Sequence, residues 1–262
     1  MAKARRIIGA YLTASFKLAA QYRLEFFLGS LMTFFWVAWS LAPALVAWRG
    51  RPEIAGWSFN EALLVIAWFM ILRALLEGAV QPSLIAVIEH IRKGTLDFVL
   101  LKPVDAQLLV SVSRMEPRRA VDLLVALGLA AYAFVRLGRW PDPIGVGIAA
   151  VLTVTSALLL YSMAILVVSA AFWVVRLDNL IYLFNAIFDA ARWPVSVFKG
   201  FLAIVFTFVI PLALMTTYPA LALLGRLSIG VAAIAVGGAL VFAFLARSVW
   251  KRALGRYTSA SS

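Results

Sequence analysis

Four charged residues stand within apolar runs of this sequence, and their spacing pairs them two by two. Arg73 and Glu77 are four residues apart, and Asp189 and Arg192 are three apart, so each couple would share one face of a helix. A charge inside a hydrophobic run either serves function, for example in a substrate path, or forms a structural ion pair. Pairing within each couple favours the structural alternative.

The residue types that catalysis and metal binding require are scarce. The chain has no cysteine and a single histidine, His90, which excludes a cysteine-ligated or multi-histidine metal site. The sequence lacks the phosphate loop Gly-x-x-x-x-Gly-Lys-Ser/Thr, so we expect no ATP hydrolysis by this chain alone. His90 is expected to be a solvated residue at a helix end, with pH sensing as the alternative. We therefore predict no catalytic residue, no metal site and no cofactor in this chain.

The elements that position these residues are predicted to be membrane helices. Hydrophobic residues make up 64% of the chain and charged residues 14%, against roughly 45–50% and about 25% in soluble domains. We therefore predict an all-α polytopic membrane protein. The net charge of +12 is spread between apolar runs, which fits loops held against membrane lipid rather than a nucleic-acid partner.

The longest charged interruption is the basic segment, Ile91 to Arg119, which the positive-inside rule places in the cytoplasm. Gly94 can end the preceding helix in a left-handed conformation. Pro103 suits the first turn of a short helix with Asp105 near its positive end, and Pro117 opens the next long helix. These features would present a docking surface to a soluble partner. The basic residues are Arg92, Lys93, Lys102, Arg114, Arg118 and Arg119.

The apolar runs predict one transmembrane domain, residues 1–262, with six spans. The spans are predicted at about Leu24–Trp48, Asn60–Ile88, Ala120–Leu137, Ile144–Val174, Asn179–Trp193 and Leu227–Trp250. The chain is then divided into an amphipathic interfacial helix (1–22), spans 1 and 2 (24–88), a cytoplasmic loop (89–118), spans 3 to 5 (119–193), an outer re-entrant region (194–225), and span 6 with a cytoplasmic tail (226–262).

A seventh apolar run, Lys199 to Leu214, is predicted not to cross the membrane. Both ends of the chain are basic and should be cytoplasmic, which requires an even number of crossings. The run is short, and it is bounded by Pro194 and Pro211. We therefore predict that residues 195–225 dip into the membrane from the outer side and return.

Aromatic residues are concentrated in the first span. Most of the tryptophans are expected in the belts at the two membrane surfaces. A second interpretation applies to Phe34, Phe35, Trp36 and Trp39, which would line an apolar substrate cavity at a subunit interface.

Three stretches, in this order, resemble one family. The basic segment contains R-K-G-T-L-D-F-V-L-L-K-P-V-D, which is similar to the cytoplasmic loop of ABC-2 type ABC transporter permeases. Two later stretches resemble a poorly characterised bacterial branch of that family. They are A-R-W-P-V-S-V-F at 191–198 with I-P-L-A-L at 210–214, and W-K-R-A-L-G-R-Y-T-S-A at 250–260.

The resemblance implies a permease subunit of an exporter in the bacterial cytoplasmic (inner) membrane, with both termini in the cytoplasm. Two permeases, identical or homologous, would work with separate ATPase subunits that bind ATP and Mg. The amphipathic start would be a connecting helix, and residues 195–225 would close the exit. The loop would be the coupling helix that contacts the ATPase. The residues implied in this contact are Gly94, Leu96, Asp97, Leu100, Leu101, Lys102, Pro103 and Val104.

Two other classes stay open at this point. A membrane-embedded lipid-modifying enzyme would need convergent acids, bases or a metal at one membrane face, whereas the charges here are scattered. An ion-gradient-driven carrier would show paired repeats and broken mid-membrane helices. Only the stretch from Pro194 to Pro219 resembles such a break, and it lacks a matching half.

Overall fold

The fold comes from a computed structural model. It describes residues 23–102, 104–111, 113–173 and 178–257, together with Gly9, Thr13, Ala14, Lys17 and Gln21. The predicted interfacial helix over residues 1–22 lies outside the described residues apart from those positions, and so does Pro103. A two-stranded hairpin follows the first helix, β1 (Glu53–Ile54) paired with β2 (Trp57–Ser58).

The remaining elements are helical. The first half of the chain holds α1 (Arg23–Trp48), α2 (Phe59–Leu75), a π-helical turn (Leu76–Val80), α3 (Gln81–Arg92), α4 (Asp97–Leu100), α5 (Ala106–Ser111) and α6 (Arg119–Leu137). The second half holds α7 (Pro143–Ser169), a 3-10 turn (Ala170–Phe172), α8 (Asp178–Asp189), 3-10 turns at Ala190–Arg192 and Val195–Val197, α9 (Phe201–Ile204), π turns at Val205–Val209 and Ala213–Thr217, α10 (Tyr218–Leu223) and α11 (Ile229–Leu254).

Local side-chain chemistry sets the ends of the long helices. At the start of α2, the Ser58 hydroxyl accepts from the Glu61 backbone N–H, and the Glu61 carboxylate accepts from the Ser58 N–H. Asp142 caps α7 in the same position. Helix α6 ends at Gly138, whose φ of 67° is the left-handed conformation that stops a helix.

Five helices among the described residues are long and apolar enough to cross a membrane. The all-α polytopic class is therefore confirmed. The predicted fifth span is represented by α8, whose 12 residues extend about 18 Å against a bilayer core of about 30 Å. The six-span count rests on this segment and stays a prediction. The five long helices are Phe26–Trp48, Phe59–Arg92, Arg119–Leu137, Pro143–Phe172 and Ile229–Leu254.

Different loops meet at two separate groups of contacts in the bundle. At one end Trp48 stacks on Trp193, with 6.2 Å between ring centroids. At the other end the basic segment meets α11 through Asp105 and Arg247. Ile181 of α8 packs with the buried cluster at the basic-segment end. The stretch from Ile181 to Trp193 therefore contacts both groups of residues.

Residues 194–225 form short helical pieces rather than one long helix. Phe201–Val209 and Ala213–Leu223 meet at Ile210, whose backbone angles (φ −120°, ψ 82°) leave the helical region, and at Pro211. Ser156 of α7 donates to the Leu214 carbonyl at 3.0 Å. This broken shape fits a re-entrant element, and its depth in the membrane stays a prediction.

Helix α2 is the centre of the bundle. Of its most apolar stretch, 61% is buried, against 11% for α1. Helix α2 packs along α6, and α7 packs along α11. Beyond the π turn, α3 packs on α5 and α7, around a second buried cluster that contains Leu84, Val110 and Trp250. The weakly covered α1 closes one side of a cavity against α2.

Candidate functional site

A cavity of about 580 Å³ lies between α1, α2, α6 and the end of α8. Its lining combines charged and apolar side chains. The charged residues are Arg73, Glu77, Arg118, Arg119, Asp122, Asp189 and Arg192. The apolar lining includes Met32, Trp36, Trp39, Phe69 and Met70.

The two charged couples of the sequence meet in this cavity. Arg73 Nε donates to Glu77 Oε1 at 2.8 Å within the helix, and Arg73 Nη1 donates to Asp189 Oδ1 at 2.6 Å on α8. Arg192 Nη2 contacts the same Asp189 oxygen at 3.2 Å. The guanidinium groups of Arg73 and Arg192 lie 5.8 and 5.3 Å from the Phe69 ring centroid. The four residues therefore form one cluster that joins α2 to α8.

Arg119 extends this cluster to two further helices. Its Nη2 lies 2.6 Å from Glu77 Oε2, and its Nη1 donates to Asp122 Oδ2 at 2.9 Å. Thr33 of α1 donates to Asp122 Oδ1 at 2.5 Å. Asp122 therefore pairs with Arg119 within the first turn of α6. The sequence gave no sign that Arg119 reaches Glu77, since 42 positions separate the two.

Two glycines give the arginines room between the helices. A Cβ added at Gly29 of α1 would lie 2.6 Å from the Arg118 Cδ, and one at Gly78 would lie 2.9 Å from the Arg119 Cβ. The Gly78 carbonyl also accepts from the Glu116 N–H at 2.8 Å. Gly78 and Glu77 belong to the π turn, a feature often found at functional sites. The start of α6 is thus fixed against the π turn by backbone as well as by charge.

The aromatic residues of α1 divide between two environments. Trp36 and Trp39 line the cavity, although 61% and 65% of their surfaces are exposed. Phe34 and Phe35 lie on exposed surface outside the cavity lining. Trp36 and Trp39 therefore line a cavity within one chain, whereas the predicted cavity at a subunit interface stays a prediction. Phe69 of α2 also lines the cavity, which the sequence did not indicate.

The basic segment begins as its sequence predicts. Helix α3 ends at Gly94, which has a left-handed φ of 64°. His90, in the last turn of α3, is exposed, and its Nδ1 lies 2.9 Å from the Thr95 hydroxyl. Asp105 accepts from the Leu108 N–H at the start of α5. The short helix predicted after residue 103 is therefore present, with a preceding turn of helix, α4, that was not predicted.

The residues of α4 and those at its two ends differ in exposure. Leu96 is fully buried in the cluster with Leu84 and Trp250. Phe98 and Leu101, by contrast, expose 70% and 81% of their surfaces, and Lys102 is exposed beside them. A buried anchor with an apolar tip outside is the arrangement of a contact surface.

Helix α5 is joined to the long helices α7 and α11. Arg247 of α11 makes a bidentate ion pair with Asp105 and donates to Gln107 Oε1 at 2.5 Å. Gln107 Nε2 donates to the Tyr161 hydroxyl of α7 at 3.0 Å, and Ser111 Oγ lies 2.6 Å from the same oxygen. Hydrogen bonds from Arg247 hold the pKa of Asp105 below its ordinary value, against the opposing effect of burial.

Comparison with known protein families bears on the three classes left open by the sequence. The model of the ABC-2 family transporter proteins matches residues 32–261. The chain belongs to the ABC-2 transporter family. The resemblance of the three sequence stretches is thereby confirmed, and the chain belongs to a family of membrane transport subunits. No curated protein and no solved structure gives a significant match.

The coupling residues implied by the resemblance to ABC-2 transporters differ from one another in burial and local structure. Gly94 forms the turn and Leu96 the buried anchor, whereas Leu101 and Lys102 form the exposed tip. Three further residues of the set are partly exposed: Asp97, Leu100 and Val104. Pro103 is the member of the set that lies outside the described residues. Phe98 completes the exposed tip and was not part of the implied set.

Proposed function

We propose that this chain is the permease subunit of an ATP-driven exporter, powered by separate ATPase subunits that carry the ATP and Mg. The observation that carries the proposal is the exposed tip of α4, in a chain of the ABC-2 transporter family. Phe98, Leu101 and Lys102 offer an apolar patch and a positive charge to a soluble partner. In this proposal Gly94 through Val104 form the coupling contact, and the cytoplasm lies at the basic-segment end.

Movement of the coupling contact would be transmitted to the membrane helices through hydrogen bonds and an ion pair of α5. Asp105 and Gln107 connect α5 to Arg247 of α11, and Gln107 and Ser111 connect it to Tyr161 of α7. On the other side, buried Ser83 of α3 donates to the Arg114 carbonyl at 2.6 Å. A push on the α4 tip would therefore displace three long helices together, as rigid-body transitions require.

The opposite end of the bundle carries a candidate closure of the exit. Glu61, only 5% exposed, accepts from Arg226 Nη2 at 2.6 Å, and Arg139 Nη2 lies 3.6 Å from the same oxygen. These contacts tie α2 to the loop after the re-entrant region and to the turn after α6. We propose that they hold the outer side shut in the resting state.

The assembly we propose contains two permease chains, identical or homologous, in the bacterial inner membrane. Six crossings, with α8 as part of the fifth, place both termini on the same side of the membrane. The basic residues at both ends make that side the cytoplasm. Residues 194–225 enter and leave on the outer side. Membrane lipid surrounds the exposed faces of α1 and α11.

The first test is to purify the chain in mild detergent after expression with its neighbouring genes, and to identify co-eluting proteins by mass spectrometry. A stoichiometric ATPase, with or without a second permease, is the expected result. Elution of the intact chain alone, under conditions that preserve a known membrane transporter complex, would contradict the proposal.

A further inference from the structure

The charges that line the cavity are unequal in number. Four guanidinium groups (Arg73, Arg118, Arg119 and Arg192) face three carboxylates (Glu77, Asp122 and Asp189). Glu116 lies 3.8 Å from Arg118 and 3.7 Å from Arg119, yet it is outside the cavity lining and 48% of its side chain is exposed. The lining itself therefore carries an excess of positive charge.

The three carboxylates of the lining are each held by two donors. Arg73 and Arg119 hold Glu77, one on each oxygen. Arg119 and Thr33 hold Asp122 in the same way. Asp189 receives Arg73 and Arg192 on one oxygen. These acids are neutralised by the protein, so a positively charged ligand would have to compete with arginines for them.

The arginines, in contrast, retain donors without acceptors. The buried Nε of Arg119 has no hydrogen-bond partner among the described residues and lies 3.7 Å from Glu116 Oε2. Among the described residues, Arg118 forms an ion pair with Glu116 at 3.8 Å. Its side chain passes over Gly29 and lines the cavity. Each guanidinium carries five N–H donors in a planar fork that matches the oxygens of a phosphate or carboxylate. The open hydrogen-bonding capacity of the cavity is thus a capacity to bind an anion.

The apolar part of the lining, here called the apolar wall, limits what that anion is attached to. It contains Met32, Trp36 and Trp39 of α1, whereas the arginines belong to α2, the start of α6 and the turn after α8. Helix α1 has only 11% of its most apolar stretch buried, so the apolar wall continues into exposed helix surface. An acyl or alkyl chain could lie along this wall while its headgroup contacts the arginines.

We propose that the cavity binds an amphiphile with one acidic headgroup, phosphate or carboxylate. Arg118 and Arg119 bind the headgroup, and Trp36 and Trp39 contact the apolar chain. That the bound molecule is the exported cargo rests on the proposed function; the binding itself rests on the geometry of the cavity. Failure of an ATPase to co-purify would therefore leave the binding experiment below unaffected.

The test is a fluorescence titration of the full-length chain purified in a neutral maltoside detergent, because two of its tryptophans line the site. Dodecyl phosphate is the probe. Dodecyltrimethylammonium, which has the same alkyl chain and the opposite charge, is the control ligand. We expect saturable quenching by dodecyl phosphate and at least tenfold weaker binding of the cation. A Trp36→Phe variant should lose part of the signal, which assigns the change to this cavity.

Arg118→Gln is the decisive variant because it removes the guanidinium with the fewest protein contacts. We expect about tenfold weaker binding of dodecyl phosphate, since hydrogen bonds to charged groups are among the strongest. Arg118→Lys should restore much of the affinity. Arg136→Gln, which removes an exposed arginine near the other end of α6, should leave it unchanged. Equal binding of both probes, or equal binding by Arg118→Gln and Arg136→Gln, would overturn the proposal.

A competition arm distinguishes the two sources of such a headgroup. Displacement of dodecyl phosphate by phosphatidylglycerol would support the proposal with a membrane lipid as the ligand. Binding that phosphatidylglycerol does not displace would support it with a free single-chain amphiphile. Displacement by inorganic phosphate alone, at the same concentrations, would show that the apolar wall contributes nothing and would contradict the amphiphile.

Discussion

Arg119 Nη2 and Glu77 Oε2 lie 2.6 Å apart, and this contact joins the first turn of α6 to the π turn that follows α2. Both groups also have second partners, Asp122 and Arg73. The ion pair is therefore the middle of a continuous series that reaches from Thr33 on α1 to Arg192 on α8. We therefore expect loss of this ion pair to affect the packing of more helices than loss of any other contact in the series.

Glu77→Gln should destabilise the protein by about 1–2 kcal/mol, because it removes one carboxylate partner from each of Arg73 and Arg119 in a cavity that water partly reaches. The measurement is the apparent melting temperature of the detergent-purified chain. Glu53→Gln is the matched control, since Glu53 is exposed in the β1 strand. Equal melting temperatures for the two variants would show that the series of ion pairs contributes little.

Gly78→Ala should weaken the packing of α6 on the π turn. The added methyl group would lie 2.9 Å from the Arg119 Cβ, and overpacking of this kind costs about 1–3 kcal/mol. Gly128→Ala is the control, because nothing lies within 4 Å of its Cβ position. In the middle of α6 that change should stabilise the helix by up to about 1 kcal/mol. The melting temperatures of the two variants should therefore shift in opposite directions. Shifts in the same direction would contradict the close packing of Gly78 against Arg119.

Asp105→Asn should lower the coupling of ATP hydrolysis to transport more than it lowers stability. The Asp105–Arg247 pair is partly exposed, so its loss should cost about 1 kcal/mol or less. It is nevertheless a direct link between α5 and α11. The measurement is transport per ATP hydrolysed in proteoliposomes that contain the complete complex. Unchanged coupling in the variant would remove Asp105 from the transmission route.

The pH dependence of the same pair has a definite sign. The pKa of Asp105 is lowered in the folded protein, so its contribution is complete above the unfolded-state pKa and is lost as the pH falls through the folded value. The difference in melting temperature between wild type and Asp105→Asn should therefore be constant from about pH 5.5 to 8 and shrink below about pH 4. A difference that changes around pH 7 would assign the effect to another group.

Leu101→Asp should abolish binding of the ATPase without affecting membrane insertion, because it places a charge in the exposed apolar tip of α4. Arg51→Asp introduces the same side chain into an exposed loop at the other end of the bundle and should leave binding intact. Co-purification of the ATPase with each variant measures the effect. Loss of the ATPase from both variants, or from neither, would contradict docking at α4.

Local features could be predicted from the sequence because they depend on a few neighbouring residues. The left-handed turn at Gly94 and the pairing of Arg73 with Glu77 are of this kind. The contact of Arg73 with Asp189 depends on how α8 packs against α2, which spacing along the chain does not encode. Arg119 was assigned to the basic segment by its neighbours, and only the tertiary fold brings it to Glu77. The fifth span stays a prediction, because its apolar run continues through Trp193 whereas the α-helix ends at Asp189.

The π turn between α2 and α3 sets the direction in which each half of this long helix faces. A π turn adds a residue to one helical turn, and one residue corresponds to about 100° of rotation. Before the turn, Leu64 and Phe69 point into the core shared with α6; after it, Leu84 and Val87 point into the separate cluster around Trp250. Deletion of Ala79 would therefore turn α3 away from its own core while leaving α2 in place. The extra residue therefore rotates the two halves of one continuous helix relative to each other, so that each half packs in a different core.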